Sequence, residues 1–383
     1  LDVGTLLLEL VAPLVPGDEI MSGVVILGPS TELGLRLRVD VRGTVVWFEM
    51  AALDSMPLRA AETELLGIAY RTEGGRSSLD SSFGLLICKA LAARVSANEH
   101  RVVEQLRFEA AAEDDPTARI RRVTVSSALD PSGVGEVTHY TINPYVGCVV
   151  GCKFCYAQTP ISGARSLMGL KSYEWGSYVE ARTNLPEILR EEVKTHPPGV
   201  VKFCPIIGDS YQPIERTDRI TRRCLEVLAD AGEGWIPLVL TRTDLALRDL
   251  DVFERLSRAL VGISLPTVDD EVRRHFEPRS ASVEQRLNLL ARIRETGTRT
   301  LVLVQPIMQG SLVELADRIS ENADGAQIGV LEGVQGAGEE FSNPAYAHTT
   351  DENWQRDRAL ELMELLTERG VPHWTTDVPP EFA

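Results

Sequence analysis

Cys148, Cys152 and Cys155 stand in the run NPYVGCVVGCKFCYAQT, separated by three and then two residues. Thiolates on so short a segment can hold an iron–sulfur cluster, which normally takes four cysteine ligands. The chain has only six cysteines, and no plausible fourth ligand lies near these three. The spacing therefore predicts a [4Fe–4S] cluster whose fourth iron stays open to a non-protein ligand. A structural zinc knot is the competing reading, but closed zinc sites take four ligands. The next cysteine, Cys204, falls far along the chain on a predicted strand, and His139 precedes the loop on another.

Composition limits the setting. With 383 residues, 44% of them hydrophobic, the chain has room for two domains with cores. No run of about eighteen apolar residues occurs, so no membrane span is expected. The opening segment LDVGTLLLELVAPLVPG has no basic start and is not read as a signal peptide. Free thiols with ligand spacing suit a reducing, cytoplasmic compartment better than a disulfide framework. The net charge of −17 opposes the approach of a polyanion. That weighs against nucleic acid as substrate, although an acidic chain can still carry a local basic groove.

The elements that must position the cysteines are legible as alternation. Residues 1–115 give β-like runs at 23–29, 33–51 and 65–72. A helical run follows from about Ser82 to Ala112, with Leu85, Leu86, Cys88 and Leu91 on one apolar face. These runs predict an N-terminal α+β domain, and the acidic stretch EAAAEDDPTA (109–118) reads as its edge. From 119 to 383, strands are expected at 137–143, 200–207, 236–241, 260–265, 300–307 and 326–331. Helices are expected at about 184–195, 216–231, 247–259, 281–296, 311–322 and 351–369. Alternating βα units imply an α/β fold with a parallel sheet, here a partial (β/α)6 TIM-like barrel. Function in such barrels gathers at the carboxyl ends of the strands, and the cysteine loop follows the first.

The CxxxCxxC spacing followed by Tyr156 resembles the radical S-adenosylmethionine (SAM) superfamily. The stretches YVEARTNLPEIL (178–189), GDSYQPIERTDRITRRCLEVL (208–228), LTRTDLALRDLDVF (240–253), ISLPTVDDEVRRHFEPRSASVEQRL (263–287) and VQPIMQG (304–310) are similar to its spore photoproduct lyase-like branch. The resemblance leaves out residues 1–115 and fades beyond about 330. It implies a barrel core, a [4Fe–4S] cluster, SAM chelating the open iron, and an electron donor such as flavodoxin or ferredoxin. Reductive cleavage of SAM would then give a 5′-deoxyadenosyl radical.

Residue roles follow from the resemblance position by position. Arg242, where the family commonly has Lys, and Ser264 fall at the third and fourth strand ends and would contact the SAM carboxylate. A guanidinium can grip a carboxylate with two parallel hydrogen bonds, but Arg242 could also be a surface ion pair and Ser264 could satisfy local backbone. The turn Gly208-Asp209-Ser210 would meet the SAM amino group, with Gly allowing close approach and Asp209 attracting the ammonium. Tyr156, Gln305, Pro306 and Ile307 would frame the adenine, or the last three belong to a buried strand. Glu277, before Pro278, is a ligand or a loop-stabilising acceptor. The lyase's hydrogen-donating cysteine would correspond to Ile206; Cys204, two residues earlier, is an alternative donor or core, and Cys224 is structural.

One departure narrows the activity. The lyase has Tyr on both sides of its third cluster cysteine, whereas Phe154 and Tyr156 occupy those positions here. Phe cannot return a hydroxyl hydrogen. The expected activity is hydrogen abstraction from a small-molecule or peptide substrate. Nucleic-acid repair or tRNA modification is the enzymatic alternative, and a structural metal or electron-transfer protein the non-catalytic one. RIRRV (119–123) is read as a solvated face, and His373-Trp374 as a packing Trp beside an exposed His.

Overall fold

The computed structural model describes residues 8, 10–30, 36–50, 63–65, 68–72, 83–84, 86–95, 98, 119–132, 139–167, 170–203, 207–331, 333–334, 336–376 and 378–382. The chain divides into two compact units, Leu1–Arg119 with Thr159–Tyr173, and Ile120–Gln158 with Glu174–Ala383.

In the first unit, strands β1 (Glu19–Met21), β2 (Val24–Ser30), β3 (Arg36–Val41), β4 (Thr44–Met50), β5 (Thr63–Leu65) and β6 (Ile68–Thr72) form one antiparallel sheet. Its order is β1-β2-β3-β4-β6-β5. The sequence offered 33–51 as a single run, but the chain reverses inside it at Arg42 and Gly43, with φ of 53° and 86°. Two consecutive positive φ values suit the twist of a tight hairpin. Val24, Ile26, Leu37, Val39, Val46 and Phe48 share a core with Ile87, Cys88 and Leu91. The apolar face expected for that helix needs correction. Leu86 is 55% exposed, and Ile87 takes the core position beside Cys88. Leu85 and residues 99–112 lie outside the described residues.

The second unit carries β7 (Ile120–Val123), β8 (Asp130–Ser132), β9 (His139–Thr141), β10 (Tyr145–Val146), β11 (Val179–Arg182), β12 (Val200–Phe203), β13 (Ile236–Thr241), β14 (Leu260–Ser264), β15 (Arg299–Val304), β16 (Ala326–Ile328) and β17 (His373–Trp374). The main sheet runs β17-β16-β15-β14-β13-β12-β9-β8. Every pair from β9 to β17 is parallel, and β8 closes one edge antiparallel to β9. This is a parallel half-barrel, the α/β partial barrel expected from the alternation.

Strands buried on both faces read as continuous apolar runs because each face packs against something different. Val201, Val239, Val261 and Val302 face a core completed by helical residues such as Leu225, Leu228, Leu287 and Leu290. Their neighbours Val200, Leu238, Leu260 and Leu301 form a separate cluster with Leu240, Leu303 and Trp374. The period of two sorts one run into two cores.

Three elements differ from expectation. The helix anticipated over 216–231 is broken into Glu215–Asp218 and Ile220–Ala231 by Arg219, whose φ is 51°. The stretch 247–259 shortens to a 3-10 turn Leu245–Asp249 and a single helical turn Leu250–Phe253. A small sheet β10-β11-β7 has no counterpart in the alternation. The RIRRV cluster lies at its edge and is not simply solvated. Arg121 is buried and pairs with Glu180 at 2.8 Å, and Arg122 pairs with Asp218 at 2.9 Å. Among the described residues, no helix is long and apolar enough to cross a membrane.

Candidate active site

The cysteine loop leaves the carboxyl end of β9 and is anchored at once by β10, which pairs antiparallel with β11. Gly147 donates its N–H to Ile207 O at 2.9 Å, joining the loop to the turn after β12. Gln212, fully buried, spans the first cysteine: its Oε1 accepts from Val149 N at 2.9 Å and its Nε2 donates to Gly147 O at 3.0 Å. Gln158 closes the far end, donating to the carbonyls of Lys153 and Cys155 at 2.8 and 2.9 Å. Neither glutamine was singled out from sequence; a lone Gln in a turn carries no visible signal.

Cys148 and Cys152 are buried and Cys155 half-buried, in an apolar cluster with Val150, Phe154, Phe276, Met308 and Phe341. Burial pushes the Cys148 thiol up to about 12, with the Asp209 carboxylate adding to it. Burial raises Cys152 well above its ordinary value, opposed by the nearby Arg242 guanidinium, and raises Cys155 too. Buried thiols of this kind ionise only when a cation meets them, and metal ligation deprotonates a thiol outright. Among the described residues, no three His, Cys, Asp or Glu side chains gather around a point that could hold a single metal ion. In an iron–sulfur cluster each thiolate binds a different iron, so the thiols need not converge on one point. The donor set of three soft sulfurs in an apolar shell fits an iron–sulfur group.

Arg242 follows β13 directly and turns toward this loop. Its guanidinium lies 5.5 Å from the Phe154 ring centre and forms an ion pair with Glu277. It is therefore a buried pair rather than a surface one. Although burial works against its charge, Glu277 and the thiols of Cys152 and Cys155 raise its pKa above the ordinary arginine value. Ser264 ends β14, fully buried, and its Oγ finds no hydrogen-bond partner among the described residues. The alternative of a hydroxyl satisfying local backbone is thus not met. A buried hydroxyl without a partner is costly, so this atom suits a ligand.

The turn Gly208-Asp209-Ser210 is buried against the loop. A Cβ on Gly208 would stand 2.6 Å from Gly147 O and 2.9 Å from Tyr145 O. The close approach that demands glycine is thus to the cysteine loop's own backbone. Asp209 is buried, and its Oδ1 accepts from Tyr211 N at 2.9 Å and Thr241 Oγ1 at 2.7 Å. Its Oδ2 accepts from Arg242 N at 2.8 Å. These contacts fasten the strand-end junction beneath Arg242. Ser210 is buried, with its carbonyl accepting from Thr221 Oγ1 at 2.5 Å.

Gln305 follows β15, and its Nε2 donates to Val330 O at 3.3 Å, toward the segment after β16. Ile307 belongs to the main core. Tyr156 is half-buried beside Cys155. Cys204 and Ile206 lie outside the described residues, whereas Cys224 is fully buried core. Trp374 packs in the inner cluster, with His373 half-buried beside it.

Gly208→Ala is expected to lower stability by about 1–3 kcal/mol, because two backbone carbonyls cannot rotate away as a side chain would. Denaturant titration measures the loss, and reconstituted iron content should fall with it. An unchanged midpoint and full iron uptake would show that the loop yields without consequence.

The family model described as Radical SAM superfamily matches residues 142–319. An uncharacterized protein of Methanocaldococcus jannaschii is 32% identical over 190 residues, 49% of this chain and 68% of that protein. An uncharacterized Mycobacterium tuberculosis protein is 26% identical over 192 residues, and the matched stretch spans about half of it, 55%. A Radical SAM Nalpha-GlyT isomerase of Pseudomonas phage M6 is 24% identical over 169 residues, 44% of this chain and 33% of that one. Among solved structures, spore photoproduct lyase complexed with dinucleoside spore photoproduct superposes with a TM-score of 0.50 at 17% identity, over 67% of this chain and 82% of that one. At that identity the likeness shows the shared fold. The chain is an enzyme belonging to the radical SAM superfamily, whose members use a [4Fe–4S] cluster and SAM.

Proposed function

We propose that Cys148, Cys152 and Cys155 hold the [4Fe–4S] cluster, and that Arg242, Ser264 and the Gly208–Ser210 turn hold SAM, for hydrogen abstraction from a small-molecule or peptide substrate. When bound, that pair supplies one-electron cleavage of the sulfonium and a 5′-deoxyadenosyl radical. The observation that carries the reading is the meeting of two buried thiols and a half-buried third with Arg242, close to strand ends where the buried Ser264 Oγ has no partner among the described residues.

The chain's own groups prepare the site in three ways. Gln212 and Gln158 fix the loop backbone, so the thiol directions are set before any ligand arrives. Arg242 offers a guanidinium suited to bidentate grip of a carboxylate. Phe154, Phe276 and Phe341 keep water from the cysteines, which strengthens every charge interaction there. Tyr156 and Gln305 remain candidates for the adenine side. Cys204 remains a candidate hydrogen donor, and flavodoxin or ferredoxin a candidate source of the electron.

A nucleic-acid lesion is the second reading, favoured by the dinucleoside spore photoproduct held by the solved lyase of the same fold. The acidic balance and the internal pairing of Arg121 and Arg122 favour the first.

Anaerobic reconstitution should load about four irons per chain, and dithionite with SAM should release 5′-deoxyadenosine and methionine. Arg242→Met should retain the iron and weaken SAM binding by about 2 kcal/mol, the order of one charge-assisted contact. Iron loading without any deoxyadenosine would overturn the reading. Deoxyadenosine formation stimulated by photolesion-bearing oligonucleotides, and not by metabolite or peptide pools, would select the second reading.

A further inference from the structure

Glu277 caps the helix Asp270–Phe276 and is 2% exposed, yet it is not merely a loop acceptor. Its Oε1 pairs with the Arg242 guanidinium and stands 4.0 Å from Cys152 Sγ. Its Oε2 accepts from Arg286 Nη2 at 2.6 Å. Arg286, fully buried, continues to Ser264 O through Nη1 at 2.5 Å and to Ala281 O through Nε at 3.0 Å. Ala281 N in turn donates to Arg242 O at 2.9 Å. One carboxylate thus links a cluster cysteine, the end of β13 and, through Arg286, the end of β14.

Packing alone does not require such a group. Burying a carboxylate between two guanidiniums carries a desolvation cost that apolar residues of similar volume avoid. The arrangement does something an apolar side chain cannot: it orients Arg242 and lowers the positive charge beside the thiols. Glu277 offsets one of the two positive charges of Arg242 and Arg286, while Asp209, accepting from Arg242 N, and Arg279, against Gly151, add one further charge of each sign near the loop.

We propose that Glu277 is a positioning residue that holds Arg242 in register for the SAM carboxylate and sets the charge felt by the cluster. The inference rests on the functional reading above. A neutral amide at this position removes one negative charge that stands 4.0 Å from Cys152 Sγ. Extra positive charge favours the reduced, more negative cluster, so its midpoint potential moves upward. Arg242, no longer oriented, loses preorganisation toward its ligand.

The test uses the anaerobically reconstituted full chain as wild type, Glu277→Gln, Glu277→Asp, Arg242→Met, and the double variant of Glu277→Gln with Arg242→Met. Iron content, SAM dissociation constant by equilibrium dialysis, and midpoint potential by EPR-monitored titration are read for each. Glu277→Gln should keep its iron, shift the potential upward and weaken SAM about tenfold, the order of one charge-assisted hydrogen bond. The double variant should bind SAM no worse than Arg242→Met alone, because Glu277 acts through Arg242. Glu277→Asp, which keeps the charge and retracts it, should hold the potential near wild type while weakening SAM. That variant carries the test if Glu277→Gln does not fold.

An unchanged potential in Glu277→Gln, unchanged or tighter SAM binding in either Glu277 variant, or additive losses in the double variant would each overturn the proposal. Wild-type protein that takes up no cluster or binds no SAM would fail the functional reading itself. Loaded, SAM-binding wild type with indifferent Glu277 variants would fail this inference alone.

Discussion

Alanine at Cys148, Cys152 or Cys155, introduced singly, is expected to abolish both stable cluster assembly and SAM cleavage. Each thiol sits on a loop already fixed at both ends by Gln212 and Gln158, so no neighbouring cysteine can swing in as a substitute. Cys88 and Cys224 are fully buried in cores elsewhere, where burial raises both thiols, Cys88 to about 12. Cys88→Ala and Cys224→Ala should therefore leave iron content intact and cost only a small cavity, on the order of 1 kcal/mol. Cys204→Ala should also keep its iron while testing hydrogen return to product. Iron and acid-labile sulfide per chain decide the matter. Full iron in any of the three loop variants, or lost iron in Cys204→Ala, would sink the proposed ligand set.

Glu215→Ala should destabilise the barrel by about 3–5 kcal/mol, the range for breaking a buried charged hub. The Glu215 carboxylate is fully buried and accepts from Tyr145 OH at 2.5 Å, Thr221 N at 3.0 Å, Arg222 N at 3.1 Å and Arg248 Nη2 at 2.7 Å. Thr221 and Arg222 open the helix Ile220–Ala231, whose first N–H groups have no partner within the helix. A carboxylate at that end also meets the helix dipole favourably. This explains why the chain breaks at Arg219 instead of running on as one helix: the turn brings Glu215 back to cap its own continuation. Tyr145 immediately precedes the cysteine loop, so the hub also anchors the site. Urea denaturation of the unloaded chain measures the loss without involving the cluster. A change under about 1 kcal/mol would mean that Arg248 and Asp249, 2.7 Å apart, carry the junction without it.

What was legible in the sequence was whatever covalent spacing or local period encodes. The cysteine gaps are fixed by the chain itself. Strand–helix alternation is a local signal, and β13 spans the residues expected for it, 236–241. The placement of Arg242 and Ser264 at strand ends followed from that register. The sequence could not say where long side chains would go. A helical period alone placed Leu86 in the core, but the sheet it packs on chose Ile87 and Cys88. Only tertiary contact decided that Gly208 makes room for Gly147, that Asp209 serves a backbone junction, and that Glu277 lies between Arg242 and Arg286. Buried polar groups must find partners, and several of those at this site, such as Glu277 for Arg242 and Arg242 N for Asp209, lie more than thirty residues away. Which ones meet is settled by closure of the barrel, not by any pattern along the chain.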